Sequence, residues 1–439
     1  MTLFRNIYGK ACLRLVLLTA LLIGFCACED HICTGPKRVF IVYSIGFNNL
    51  SNYLKQDIEE LSKSYSSVPC NSHVVIYSHS TKTRGSYSTP NSPVLIELKK
   101  TKSGGVVRDT IIVVRDTIVT YDPNTVSTSK ETLHNVLSYI KDRYQEAEYS
   151  ILFSSHGTGW TPADYCNDPN YYEKQYSDTW IPRIRTVREH QPYWGVTPED
   201  GGPVVKGFGM QNITTGTYHE MNITDMKDAF PMKMNAIIFD ACFMGGIEVA
   251  YELRNNTDFL VASQTEILAD GMEYTTMLKY IFNRNGDLKG FCKNFFNHYN
   301  DQSGQNKSAT ISLIDCTRLD PLAEVCSEIF DAHRTRIAAL EGSMKIQRYY
   351  RLTNAGIHQW FYDLEDIAMF CDLSEDHKER LKTALEGCVV YKAATPEFIS
   401  DIKLEKHSGL SMYLPFTDRG YLNNFYRTLE WNKATGLVQ

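Results

Sequence analysis

Residues 151–160 read ILFSSHGTGW, and residues 235–245 read NAIIFDACFMG. Each stretch starts with an apolar run that is typical of a buried strand and then reaches a reactive side chain, His156 or Cys242, close to glycine. Continuous apolar runs are typical of parallel strands, and catalytic groups collect beyond the carboxyl ends of such strands. If the two strands are neighbours, we expect His156 and Cys242 to meet at one edge of a sheet.

Other apolar runs alternate with amphipathic helical patterns, and this predicts an α/β fold with a mostly parallel central sheet. The remaining predicted strands are Arg38–Ser44, His73–Tyr77, Pro93–Leu98, Asp258–Ser263, Ala309–Asp315 and Gly409–Pro415. We expect the last of these to return to the main sheet. The near repeat VVRDTII and VVRDTIV within Val106–Thr120 predicts a β-hairpin or paired edge strands.

Two helices have recognisable starts. Thr128 and Ser129 precede a helix with Leu133 and Val136 on its apolar face, and a short helix is predicted with a cap near Thr224. Residues 161–220 are rich in Tyr, Asp, Asn, Pro and Gly, which predicts a long loop or insertion, and such segments are usually functional or disordered. We find no boundary between independent domains in residues 37–439, whose part from about 316 onward is rich in helices.

The composition is that of an ordinary globular protein, with 439 residues, 43% of them apolar and 22% charged. The formal net charge of −6 argues against a protein that binds nucleic acid by attracting phosphates. The 12 cysteines form no C-x-x-C pair, so a zinc ribbon has no support. We expect a monomer.

The N-terminus has the features of an export signal. Arg5, Lys10 and Arg14 precede the apolar run Leu15–Ala27, which is short for a bilayer span and suits a signal peptide over residues 1–27. Cys28 follows a small residue, as in a bacterial lipobox, so we expect lipidation at Cys28, with ordinary secretion as the alternative. Residues 28–36 are predicted to be a linker.

A cysteine and a histidine at one sheet edge have the residue types of a thiol hydrolase. A free thiol has a pKa near ~8.5, and a neighbouring imidazole raises its thiolate fraction and protonates the leaving amine. The main-chain N–H groups of Gly157 and Cys242 could form an oxyanion hole. For either residue alone the structural alternative stands: His156 as a packed histidine, and Cys242 as a small buried apolar residue.

Two carboxylates lie near this pair in the predicted fold. Asp240 is the last residue of its strand, and Asp270 lies in the loop ILADGMEY after the next strand. Carboxylates beside a cysteine could bind a cationic substrate side chain. The alternatives are that Asp240 caps the following turn and that Asp270 is the first residue of an Asp-Gly turn.

Several of these blocks resemble the clostripain family of cysteine peptidases: HGTGW at 156–160, DACFMG at 240–245, ADGMEY at 269–274, and also FNNL and GLSMYLP. The resemblance implies a caspase-like three-layer α/β/α fold and a Cys–His dyad. It implies that His156 is the catalytic histidine and Cys242 the nucleophile. It also implies that Asp240 and Asp270 form acidic walls for the residue before the cut, and hence cleavage of proteins or peptides after Arg or Lys.

Family members are often zymogens that are cut in the loop after the histidine block. The basic residues available there are Lys174, Arg183, Arg185, Arg188 and Lys206. We expect the chemistry to need no cofactor and no metal ligand set. Calcium is compatible with the acidic loops, although the sequence has no calcium loop of the EF-hand kind.

Three other functions compete with a peptidase. A catalytically inactive binding or adhesion lipoprotein on the same fold is disfavoured, because His156 and Cys242 are both intact. A metal-dependent hydrolase lacks the H-E-x-x-H pattern. A serine hydrolase lacks G-x-S-x-G.

Overall fold

The computed structural model describes residues 36–46, 50–81, 90–103, 110–167, 169–177, 211–212, 218–283, 286–351 and 360–439. Residues Lys37–Gln439 make up one compact unit. The predicted signal peptide, Cys28 and nearly all of the predicted linker lie outside the described residues, as do Arg183, Arg185, Arg188 and Lys206.

The described strands are, in chain order, β1 (Arg38–Gly46), β2 (Ser72–Ser80), β3 (Val94–Ser103), β4 (Thr110–Thr120), β5 (Glu148–Ser154), β6 (Gln211–Asn212), β7 (Tyr218–His219), β8 (Met234–Asp240), β9 (Thr257–Ala262), β10 (Thr310–Asp315), β11 (Tyr362–Asp363), β12 (Val389–Ala394), β13 (Glu397–Phe398), β14 (Ile402–Lys403) and β15 (Ser411–Met412). The main sheet has nine strands in the order β12-β10-β9-β8-β5-β1-β2-β3-β4. Its five central strands, from β9 to β2, are parallel. Antiparallel pairs flank them at both ends, so the predicted α/β class and mostly parallel sheet are confirmed.

The described helices are α1 (Ser51–Ser64), α2 (Lys130–Arg143), α3 (Pro169–Tyr176), α4 (Ile223–Ala229), α5 (Ile247–Leu253), α6 (Tyr274–Ile281), α7 (Leu288–Asn300), α8 (Asp320–Ala338), α9 (Leu364–Met369), α10 (Glu375–Cys388), α11 (Gly420–Tyr426) and α12 (Glu430–Thr435). One side of the sheet, here called side I, is covered by α1, α6 and α7, which pack on one another. The other side, side II, is covered by α2, α4 and α5. Helix α12 packs on α5 and on α8, and α8 packs on α10, so this layer extends to the C-terminal helices. This arrangement is the predicted three-layer α/β/α sandwich.

Helix starts follow from local side chains. The Ser129 hydroxyl accepts the Thr132 N–H at the start of α2, as predicted, and one face of that helix is fully buried. Helix α4 begins two residues earlier than predicted, because its cap is Asn222 rather than Thr224.

Three elements differ in detail from what the sequence predicts. The late strand stays out of the main sheet, because β15 pairs with β11 and the Ser411 N–H donates to the Gly245 carbonyl oxygen. The described part of the near repeat, residues 110–120, forms no hairpin of its own and is the single edge strand β4, which pairs with β3. The predicted loop contains helix α3, whose buried Glu173 accepts the Tyr421 and Leu422 N–H groups at the start of α11.

Candidate active site

His156 and Cys242 lie at the same edge of the sheet because β5 and β8 are parallel neighbours in register. Ser154 is paired with Asp240, so each of the two residues lies two positions beyond the end of its strand. Gly157 packs directly on the second block: a Cβ atom at Gly157 would lie 2.6 Å from the Cys242 carbonyl oxygen and 3.1 Å from its nitrogen. Only glycine permits such an approach, and the histidine and cysteine blocks are therefore in contact.

The turn after Cys242 has an unusual backbone. Phe243 has a φ of 61°, a left-handed conformation that costs energy for a residue with a bulky side chain. Its ring stacks on Phe361 at 4.6 Å, and its N–H donates to the Thr265 carbonyl oxygen. Gly159, which also has positive φ, fits against the Phe243 carbonyl oxygen. These contacts hold the turn that presents Cys242.

The sulfur of Cys242 is fully buried and accepts the Ile267 main-chain N–H at 3.1 Å. An N–H donated to sulfur stabilises a thiolate more than a thiol. An ion pair holds the loop that carries this donor. Arg351 donates from Nε to Oε2 of the buried Glu266 at 2.6 Å and from Nη2 to Oε1 at 3.0 Å. The donor is thus supplied by a rigid segment after β9.

The other described free cysteines have different surroundings. Burial raises the pKa of each of these thiols, to about 11 for Cys371 and about 12 for Cys388. The remaining members, whose pKa is raised further by burial, are Cys166, Cys292, Cys316 and Cys326. Raised pKa values keep these thiols protonated and inert.

His156 belongs to a block that is anchored by Trp160. The indole is fully buried and lies 4.8 Å from the rings of both Tyr413 and Tyr426. Tyr413 belongs to the late GLSMYLP segment, which therefore supports the histidine block by packing rather than by joining the sheet. His156 itself is 5% exposed and is therefore nearly buried.

On side I, Asp240 lies at the end of β8 between two hydroxyl groups. Its side chain is fully buried, and its Oδ2 accepts the Ser154 hydroxyl at 3.1 Å and the Tyr274 hydroxyl at 2.6 Å. Burial first, and then the negative charge of Asp240, raise the pKa of Tyr274 well above its usual value. Tyr274 therefore stays a hydrogen-bond donor to the carboxylate at all working pH values.

Asp270 is placed differently, since its side chain is exposed on the loop after β9. Tyr299 connects the two sites: burial, followed by the negative charges of Asp240, Asp270 and Asp57, raises the pKa of Tyr299. The Tyr299 hydroxyl donates to the carbonyl oxygen of Gly271, next to Asp270. Side I thus has one buried and one exposed carboxylate of the predicted pair, with a third, Asp57, on α1.

Asp57, Tyr274, Tyr299 and the Ile267 N–H were missed in the sequence. A signal for Asp57 exists, because it falls on the buried face of α1 between Leu54 and Ile58, where a carboxylate is out of place. The tyrosines carry no such signal, because a tyrosine on an apolar helix face is ordinary core.

The described residues have neither a metal-binding cluster nor a membrane-spanning helix. They contain no group of three or more His, Cys, Asp and Glu side chains that could hold a metal ion. No helix among them is long and apolar enough to cross a membrane.

Solved structures with the same architecture are known. An inactive zymogen of a C11 protease from Parabacteroides distasonis is 26% identical, with a TM-score of 0.69, over 92% of this chain and 98% of its own. A secreted C11 cysteine protease from Bacteroides thetaiotaomicron, in complex with an irreversible peptide inhibitor, is 23% identical, with a TM-score of 0.67, over 92% and 99%. No curated protein matches the sequence significantly.

The model of the clostripain family, Peptidase C11, matches residues 42–178 and 195–436, which is most of the chain. The match includes both the histidine and the cysteine block. The chain therefore belongs to the clostripain family and is a cysteine endopeptidase.

Proposed function

We propose that this endopeptidase cleaves peptide bonds after Arg or Lys, with Cys242 as the nucleophile and His156 as the acid–base group. The observation that carries the proposal is the contact between the two blocks, in which Gly157 lies against the main chain of Cys242. The contact brings the histidine and cysteine blocks together, which supports the proposal that both side chains act on one peptide bond.

The reaction has two halves. The Cys242 thiolate attacks the carbonyl carbon, and the oxyanion that forms accepts the N–H groups of Gly157 and Cys242. Protonated His156 then gives its proton to the amine nitrogen, the C–N bond breaks, and a thioester remains. In the second half His156 takes a proton from water, the hydroxide attacks the thioester, and Cys242 leaves as the thiolate.

The preference for a basic residue rests on side I. Asp240 is buried beside the dyad with hydroxyl donors on Oδ2, so its charge is poorly screened by solvent. A guanidinium or ammonium group that reaches Asp240 would gain a desolvated ion pair, and Asp270 would add a weaker attraction from the surface.

We also propose that the protein is exported and anchored through a lipid on Cys28. Cys70 is disulfide-bonded, which fits a compartment outside the cytosol. Self-cleavage in the loop after the histidine block is a further part of the proposal. Lys174 is the least suited site, because it lies within helix α3 and a peptidase binds an extended chain.

The test uses fluorogenic peptides that end in Arg, Lys or Asp, with wild type, Cys242→Ala, His156→Ala and the matched control Cys388→Ala. We expect cleavage after Arg and Lys alone, a loss of at least about 10⁴-fold in both dyad variants, and ordinary turnover in the control. An alkylating agent should abolish the activity. A gel of the same preparations, with and without calcium and a chelator, follows self-cleavage.

Cleavage after Asp would refute the role of the acidic side, and full activity in Cys242→Ala would refute the nucleophile. Two fragments from both wild type and Cys242→Ala would show that the protein does not cleave itself. Chelator-sensitive turnover that returns with calcium would establish the calcium requirement.

A further inference from the structure

A cavity opens on side II directly beside His156. Its wall includes His156 and Gly157 at one end and a set of apolar side chains from both strands and two helices: Leu133, Phe153, Ile223, Met226 and Phe239. Among the described residues that line it, Glu220 has the only carboxylate, and that group accepts the Asp164 N–H at 2.9 Å. The cavity is therefore chemically opposite to the carboxylates of side I.

The size of the cavity fits a single side chain. Its volume is about 80 Å³, far below the roughly 300–1,000 Å³ of a site for a small organic ligand. The cavity shares its wall with His156 of the proposed dyad, so a peptide bound at the dyad can reach it.

The chemistry of the dyad decides which substrate residue lies here. The imidazole of His156 must protonate the nitrogen of the leaving amine, and that nitrogen belongs to the residue after the cut. In the proposed function, the side chain of the residue before the cut is directed to side I, toward Asp240. The residue after the cut is thus the one that lies against His156, next to the cavity.

We infer that the cavity on side II is the subsite for the residue after the cut, and that it selects an apolar side chain such as Leu, Met or Phe. The inference rests on the proposed function, since it assumes cleavage by this dyad. It extends the substrate class from a basic residue to a basic residue followed by an apolar one.

The test uses internally quenched peptides with Arg before the cut and Leu, Ala, Asp or Lys after it. We expect kcat/KM for Leu to exceed that for Asp by about 20-fold, because the apolar side chain is removed from water. Met226→Asp should lower the ratio of the Leu to the Lys peptide by at least about 20-fold, since it places a carboxylate in the cavity. The matched control is Met344→Asp at a methionine that is 60% exposed and should keep the wild-type ratio.

Ratios between peptides are independent of how much of a variant folds, so partial misfolding of Met226→Asp does not blur the result. Equal rates for Leu and Asp in an enzyme that cleaves Arg peptides would overturn the inference and leave the proposed function standing. A Met226→Asp effect on the residue two positions before the cut, with none on the residue after it, would overturn it too. Failure to cleave any Arg or Lys peptide would overturn both.

Discussion

The two sides of the sheet have opposite chemistry at the edge where His156 and Cys242 meet, although the same two strands build both. On side I, Ser154 and Asp240 bring a hydroxyl and a carboxylate together at 3.1 Å. On side II, the preceding residues of the same strands, Phe153 and Phe239, stack at 5.5 Å. Because successive strand residues point to opposite faces, one pair of strands can offer charge on one side of a peptide bond and hydrocarbon on the other.

Asp240 on side I and Glu248 on side II are both completely buried carboxylates, and the two are held differently. Asp240 accepts hydroxyls from Ser154 and Tyr274 beside the dyad. Glu248 on α5 accepts the Tyr413 N–H at 2.7 Å and the Tyr426 hydroxyl at 2.8 Å, and burial raises its pKa to about 7. The donors to Glu248 come from the C-terminal segment, whereas those to Asp240 come from the strand and the helix beside the proposed dyad.

The largest effect on the difference between the two sides is expected from Asp240→Asn, which removes the buried negative charge of side I. We expect kcat/KM for Arg peptides to fall by about 10²–10³-fold, because removing one partner of a buried ion pair costs roughly 3–4 kcal/mol. Steady-state kinetics with Arg peptides, together with thermal unfolding of each variant, measure the effect.

The matched control for that variant is Asp270→Asn, which removes an exposed carboxylate. Its effect should stay below about ten-fold, because solvent screens the surface charge. A larger loss in Asp270→Asn than in Asp240→Asn, with both proteins folded, would contradict the assignment of the buried residue as the main contact.

The strands that end at His156 and Cys242 could be predicted from the sequence, but the buried contacts of side I could not. Apolar runs fix the strands, and parallel neighbours place His156 and Cys242 at one edge regardless of the distance between them in sequence. The roles of Tyr274 and Tyr299 could not be predicted, because no local pattern distinguishes a tyrosine that donates a buried hydrogen bond from one that only packs in the core. The position of β15 depends on its long-range packing and hydrogen bonds with Trp160 and Gly245, which no local pattern encodes.

Glu248, which is buried on side II, is expected to make the stability of the protein depend on pH. The pKa of Glu248 is about 7 in the folded protein and near its ordinary value of about 4.5 when unfolded. Folding therefore favours the protonated form, so its contribution to stability is present below about pH 4.5 and is lost as the pH rises through about 7. The change is up to about 3 kcal/mol.

Urea unfolding of Cys242→Ala, a background that prevents self-cleavage, at about pH 5 and about pH 8 measures this loss. In the same background Glu248→Gln should lose less free energy of unfolding over that range, since it has no proton to release there. Identical pH dependence in the two proteins would show that Glu248 does not titrate in this window.

The finest test of side I is Tyr274→Phe, which removes one hydroxyl and keeps the ring. Its hydroxyl donates to Asp240 Oδ2 at 2.6 Å, and a hydrogen bond to a charged group contributes about 1.5 kcal/mol, or roughly ten-fold. We expect the loss for Arg peptides mainly in KM, because the hydroxyl orients the carboxylate that binds the side chain and takes no part in the proton transfers. Tyr299→Phe is the control, since that hydroxyl donates to the Gly271 carbonyl oxygen instead. A fall in kcat with unchanged KM in Tyr274→Phe would mean that Tyr274 and Asp240 position the proposed dyad and do not bind the basic residue.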